Sequence, residues 1–103
     1  MNGFKAEIGS LVFSKNGRDS GRYYIITEIL DADYVMICDG KHRKLGKQKK
    51  KKLKHIKLKG QIFESIADKL KNKKQVFDTE IYSALRPFND NLKAESLPAR
   101  QAD

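Results

Sequence analysis

Three cations lie close together in the stretch Ser14-Lys15-Asn16-Gly17-Arg18-Asp19-Ser20-Gly21-Arg22. The guanidinium of an arginine is a planar fork that fits a phosphate or the edge of a guanine. Glycine lets the backbone take positive φ and approach a phosphate closely. Lys15, Arg18 and Arg22, carried on a turn through Gly17 and Gly21, are therefore candidates for orienting a nucleic acid. Asn16, Gly17, Asp19 and Gly21 are the residues of an ordinary hairpin turn, whereas the arginines are extra to what a turn needs.

A second cluster is denser and simpler. Half of the 22 Lys and Arg residues fall within residues 41–60: Lys41, Arg43, Lys44, Lys47, Lys49, Lys50, Lys51, Lys52, Lys54, Lys57 and Lys59. No acidic residue interrupts them. The chain's formal charge of +9 is thus the charge of this segment set on a nearly neutral body. Such concentration points to a polyanionic partner more than to solubility. Lysines act as mobile point charges that add affinity but read little sequence, so selectivity falls to the arginines or to shape. A run of like charges is commonly a solvated loop, and such loops often order on RNA.

Other chemistry finds little support. His42 and His55 lie in the basic segment without companion acids, and with Cys38 they fall short of the four ligands of a zinc site. No glycine-rich phosphate loop precedes a helix, and no nucleophile sits in a persuasive set with a base and its orienting partner. Asp31 and Asp33 are explained by a turn. The reading is non-catalytic, with neither cofactor nor metal. Tyr23, Tyr24 and Tyr34 can stack on bases, although strand tyrosines more often fill a core.

The elements that position these groups are short. Leu11-Val12-Phe13 precedes the glycine turn, residues 23–30 (Tyr-Tyr-Ile-Ile-Thr-Glu-Ile-Leu) read as a strand covered on most sides, and residues 34–38 (Tyr-Val-Met-Ile-Cys) as another. Asp39-Gly40 signals a further hairpin. Residues 52–59 mix apolar and basic positions and read as a closing edge strand whose lysines deter edge-to-edge association. After Gly60 the period changes: Ile62, Phe63, Ile66, Ala67 and Leu70 share a helical face. A second short helix starts at Asp78 as N-cap, presents Ile81, Tyr82, Leu85 and Phe88, and ends at Pro87. The expected organisation is a small antiparallel barrel or sandwich over residues 1–59 with a Lys-rich loop, a helical pair over 60–88 and a disordered tail over 89–103.

The segment Val12-Phe13-Ser14-Lys15-Asn16-Gly17-Arg18-Asp19-Ser20-Gly21-Arg22, leading into residues 23–30, resembles the KOW motif. Through residues 31–37 and Leu53-Lys54-His55-Ile56 the chain is similar to stand-alone bacterial KOW proteins and to the "L fourteen e" type of large-subunit ribosomal protein, over roughly residues 8–58. The resemblance implies an SH3-like barrel that binds RNA or ribosomal and transcription partners. It favours ribosomal RNA or another translation-related RNA. One cysteine, no secretory pattern at the N-terminus and no long apolar run lead to an expectation of a cytoplasmic protein with no membrane partner. The alternatives are a protein-interaction module that docks on RNA polymerase or a translation factor, and a non-specific DNA binder.

Overall fold

A strand that is apolar on both faces needs cover on both, and β2 (Tyr23–Ile29) obtains it. The computed structural model describes residues 5–101, with side-chain placement through Leu92. Its five antiparallel strands are β1 (Ser10–Ser14), β2, β3 (Tyr34–Cys38), β4 (Lys49–Lys52) and β5 (Ile56–Ile62), in the spatial order β4-β3-β2-β1-β5. On one face Val12, Tyr24, Ile26, Val35, Ile37 and Ile56 bury one another. A cluster built from strand residues alone requires the sheet to curl over it, and register shifts in the β1–β5 and β2–β3 pairings mark where it bends. On the other face Leu11, Ile25 and Cys38 pack against Ile66, Ile81 and Leu85 of two helices. The fold is mainly β with a helical appendage. β4 and β5 remain two separate edges, so the sheet is curled and not closed.

Three boundaries are corrected. The lysine run is in part a strand and not a loop: Lys49–Lys52 pairs with β3, Ile37 opposite Lys49 and Val35 opposite Lys51. Tertiary pairing with the open edge of β3 overrides the weak strand propensity of lysine. The closing strand lies at Ile56–Ile62, later than residues 52–59, because a 3-10 turn (Leu53–His55) separates it from β4. The sheet therefore extends past residue 59.

Helix α1 (Glu64–Lys71) follows the expected face, and Ile66 and Ala67 are buried. Helix α2 spans Asp78–Gln101 and does not end at Pro87, so the tail expected from residue 89 begins as helix. Pro87 cannot donate to the carbonyl four residues earlier, but the chain is held beyond it. The Phe88 ring packs against Tyr23 and Phe63, with centroids 5.7 and 5.9 Å apart, and Asn89 Oδ1 accepts from Tyr23 N at 2.9 Å. Residues 102–103 lie outside the described residues. Asp78 also differs from expectation: its Oδ1 accepts the Leu45 amide at 2.7 Å, tying the helix start to the loop after β3. The reach-back at this end comes instead from Glu80, whose Oε1 accepts from Phe77 N at 3.1 Å. Lys69 on α1 binds Glu80 Oε2 at 2.6 Å and joins the two helices.

Gly40 permits this docking. Its φ is +80°, and a Cβ there would stand 2.8 Å from Tyr82 N and closer still to the Asp78 carbonyl oxygen. Gly21 has a similar φ of +85° but faces open space. Gly21→Ala should therefore cost about 1 kcal/mol, for the backbone alone, and Gly40→Ala about 3 kcal/mol or more, since the helix must also move. Urea unfolding of the two variants measures the difference; equal costs would contradict the close approach of α2 to this loop.

Candidate nucleic-acid interface

The turn after β1 folds tightly because two of its residues take positive φ, Gly17 at +90° and Gly21 at +85°. Ser20 N bonds to Gly17 O at 3.1 Å and Gly21 N to Ser14 O at 2.8 Å. The path drives Asp19 inward, so that its side chain is only 4% exposed. Tyr24, buried on β2, donates its hydroxyl to the Asp19 carbonyl at 3.0 Å. Lys51 reaches Asp19 from β4: its Nζ lies 3.2 Å from Oδ2 and also donates to the Asn16 carbonyl. Arg43 Nη2 stands 3.6 Å from Asp19 Oδ1.

A second buried carboxylate organises the facing loop. Asp39, at the end of β3, has a side chain 1% exposed. Its Oδ1 accepts from the amides of Lys41 at 3.0 Å and Arg43 at 2.8 Å, which wraps residues 39–43 around it. Its Oδ2 lies 3.2 Å from His42 Nδ1 and 3.7 Å from Arg22 Nε. That Nε is itself buried and makes no hydrogen bond among the described residues.

Between turn and loop opens a recess of about 210 Å³ lined by Arg18, Asp19, Arg22, Tyr24, His42 and Arg43. Two buried anions thus hold Arg22, Arg43 and His42 around an opening to which the exposed Arg18 is added. Such an opening suits an oxyanion, and the fixed arginines supply direction as well as charge.

The predicted binding residues divide accordingly. Arg18, Arg22 and Arg43 come together, while Lys15 is exposed but does not line the recess, and its amide bonds to the His55 carbonyl at 2.9 Å. Gly17 and Gly21 act through the backbone. Lys41, Lys44, Lys47, Lys50 and Lys54 are exposed, and Lys49 and Lys52 are half-buried. Lys51 is corrected: it is buried, 6% exposed, and is committed to Asp19. Strand alternation places Lys49 and Lys51 on one face of β4 and Lys50 and Lys52 on the other. On that outer face Lys50 and Lys52 stand 4.6 and 5.9 Å from the Tyr34 ring centroid. Of the three strand tyrosines, Tyr24 is in the core and Tyr23, half-buried, packs between Phe13 and Phe88, while Tyr34, also half-buried, has Lys50 and Lys52 beside its ring.

Sequence reasoning passed over Asp19 and Asp39 as turn residues. The signal available was weak: each is an acidic residue next to a predicted strand and a cluster of cations. It also passed over Tyr82, Arg86 and Asn89, which line an adjoining recess with Arg22, Lys41 and His42. Among the described residues no three His, Cys, Asp or Glu side chains gather as a metal would need, and no helix is long and apolar enough to cross a membrane. No protein family model matches the chain, and no characterised protein matches it at a significant level.

Burial alone would raise the Asp19 carboxyl, but the Lys51 hydrogen bond and charge, with Lys49 and Arg43, outweigh it and hold it below the usual carboxylate range. Burial of Asp39 is likewise outweighed, by the amides of Arg43 and Lys41 and by His42. Unfolded, both titrate near pH ~4. Their contribution to stability is complete above that pH and is lost as the pH falls through their lower folded values. Urea midpoints should be flat from neutral pH to about 5 and drop steeply below about 4. Asp19→Asn and Asp39→Asn should each be less stable at neutral pH and show a shallower acid limb. An unchanged acid limb in both variants would show that these carboxylates are not the anchors.

Proposed function

We propose that the chain is a non-catalytic RNA-binding domain of SH3-like barrel type, of the KOW kind, acting in the cytoplasm on ribosomal or other translation-related RNA. The observation that carries the binding reading is the convergence of Arg18, Arg22 and Arg43 on one recess, two of them held there by buried carboxylates. Side chains needed only for solubility have no reason to be fixed around an opening. The barrel reading is supported by the strand order, by the sheet's curl over its own core and by the glycine turn joining β1 and β2. The choice of RNA over other polyanions rests on the likeness of residues 12–22 and the strands that follow to the KOW motif.

In this reading the two groups of cations do different work. The arginines fix where a phosphate sits, because Arg22 and Arg43 are drawn to the recess by the charge of Asp39 and Asp19 and present planar forks there. Exposed Lys41, Lys44, Lys47, Lys50 and Lys54 lie around this centre in sequence and strengthen any polyanion's attachment. Tyr34, flanked by Lys50 and Lys52, offers a base-stacking surface on the outer sheet face.

If about five phosphates are neutralised, log K should fall against log salt with a slope near −3.5 to −4.5. Exchanging Lys44, Lys47 and Lys50 for Gln should weaken structured RNA and duplex DNA alike and flatten the slope by about 1 for each phosphate no longer neutralised. Arg18→Gln should instead narrow the preference for RNA over DNA. Fluorescence anisotropy across a salt series reads both effects. Equal affinity of the unaltered protein for structured RNA and duplex DNA of the same length would reduce the function to general polyanion binding.

A further inference from the structure

The adjoining recess, of about 180 Å³, shares Arg22 and His42 with the arginine recess, so the two are compartments of one groove. Their chemistry differs. The first is a cage of guanidinium groups. The second has a half-buried aromatic ring, Tyr82 on α2, with Lys41, Arg86 and Asn89 around it and Asp90 at its edge.

The face of Tyr82 is covered by Lys41, whose Nζ stands 5.7 Å from the ring centroid. Attraction between an ammonium and a ring face at a surface site is modest. Lys41 is exposed and can leave the ring for a phosphate. Asn89 commits its Oδ1 to the Tyr23 amide, which leaves the amide NH₂ as a donor. Arg86 is 66% exposed and pairs with Asp90 at 3.4 Å.

We propose that this groove takes one nucleotide of single-stranded or looped RNA, its phosphate among Arg18, Arg22 and Arg43 and its unpaired base against Tyr82. The proposal rests on the RNA-binding reading above and deepens it. It makes α2 part of the interface and names the substrate class as RNA with an unstacked base. A base inside a duplex cannot present its face to Tyr82, whereas phosphates of either form can meet the arginines and lysines. Stacking on the ring accepts any base, and the Asn89 amide donor is the group placed to favour one base edge over another.

The test measures affinity of the full chain for a short oligouridylate and for a short, fully paired RNA duplex at one fixed salt concentration. Tyr82→Leu should weaken oligouridylate binding roughly tenfold, and Tyr82→Phe, which keeps the ring, by less than about twofold. Duplex binding should change by less than about twofold in both, since only charge holds it. Tyr82→Gln, which also removes the ring at this half-buried position, should weaken the single strand more than the duplex, and it carries the test if circular dichroism shows Tyr82→Leu unfolded. Equal losses on both RNAs, or no loss on either, would overturn the base site while leaving RNA binding intact. An unaltered protein that binds neither RNA would overturn both readings.

Discussion

A carboxylate taken out of water must be paired, and Asp19 in its turn is paired with Lys51, thirty-two residues away on β4. The pair closes the turn after β1 onto the edge strand β4, with the Asn16 carbonyl as a third member. Replacing such a pair by well-fitted apolar groups is often harmless, but removing one partner strands the other at a cost of roughly 3–5 kcal/mol. That is a large share of the ~5–15 kcal/mol by which a domain is stable. The pair cannot by itself set register, because a slip of one residue in β4 would bring Lys50 or Lys52, an identical side chain, to the inner face in place of Lys51. Register is fixed by what flanks the four lysines: Leu53 N donates to the Asp33 carbonyl at 2.8 Å and its side chain packs on the core, and Gln48 Nε2 donates to the Leu45 carbonyl at 3.0 Å.

Asp39 performs the same task for the opposing loop, and the two anions together explain how so basic a surface is held in one shape. Left to themselves, cations at the mouth of the recess would repel one another and spread into solvent. Asp19 and Asp39 lie beneath them and give Arg22, Arg43 and His42 fixed partners. The lysines left in water keep their full mobility. The division between an oriented arginine centre and a mobile lysine surround is therefore a consequence of which carboxylates are buried. It also accounts for the place of α2: Gly40 and the Asp78–Leu45 bond draw the helix against the Asp39 loop, bringing Tyr82 and Arg86 beside the recess.

Much of this was legible in the sequence. β3 falls where its apolar run places it, and β2 is one residue shorter than expected. The apolar character of β2 on both faces correctly signalled a doubly covered strand, and Gly17 and Gly21 take the positive φ their turn requires. Cys38 is the small core residue it resembled, its thiol pushed up to about 12 by burial. What the sequence hid has a physical cause in each case. Four lysines carry no alternation, so nothing marked Lys51 as inward-facing or residues 49–52 as a strand. Asp19 and Asp39 have the identity of turn residues, and only the three-dimensional path shows them to be anchors. Pro87 is a sound local stop signal, overridden because Phe88 and Asn89 beyond it are anchored to Tyr23 of β2 and to Phe63 just before α1.

Lysine footprinting tests the account most directly, since buried and exposed amines of one strand can be compared in a single experiment. The protein is acylated briefly, with and without structured RNA, and the modification of each lysine is read by mass spectrometry. In the free protein Lys51 should resist the reagent while Lys50 reacts, and RNA should then protect Lys50 and its exposed neighbours Lys41, Lys44 and Lys47. If Lys51 is acylated as fast as Lys50, the buried pair does not hold the turn. If RNA leaves every lysine as reactive as before, the basic surface is not its binding site.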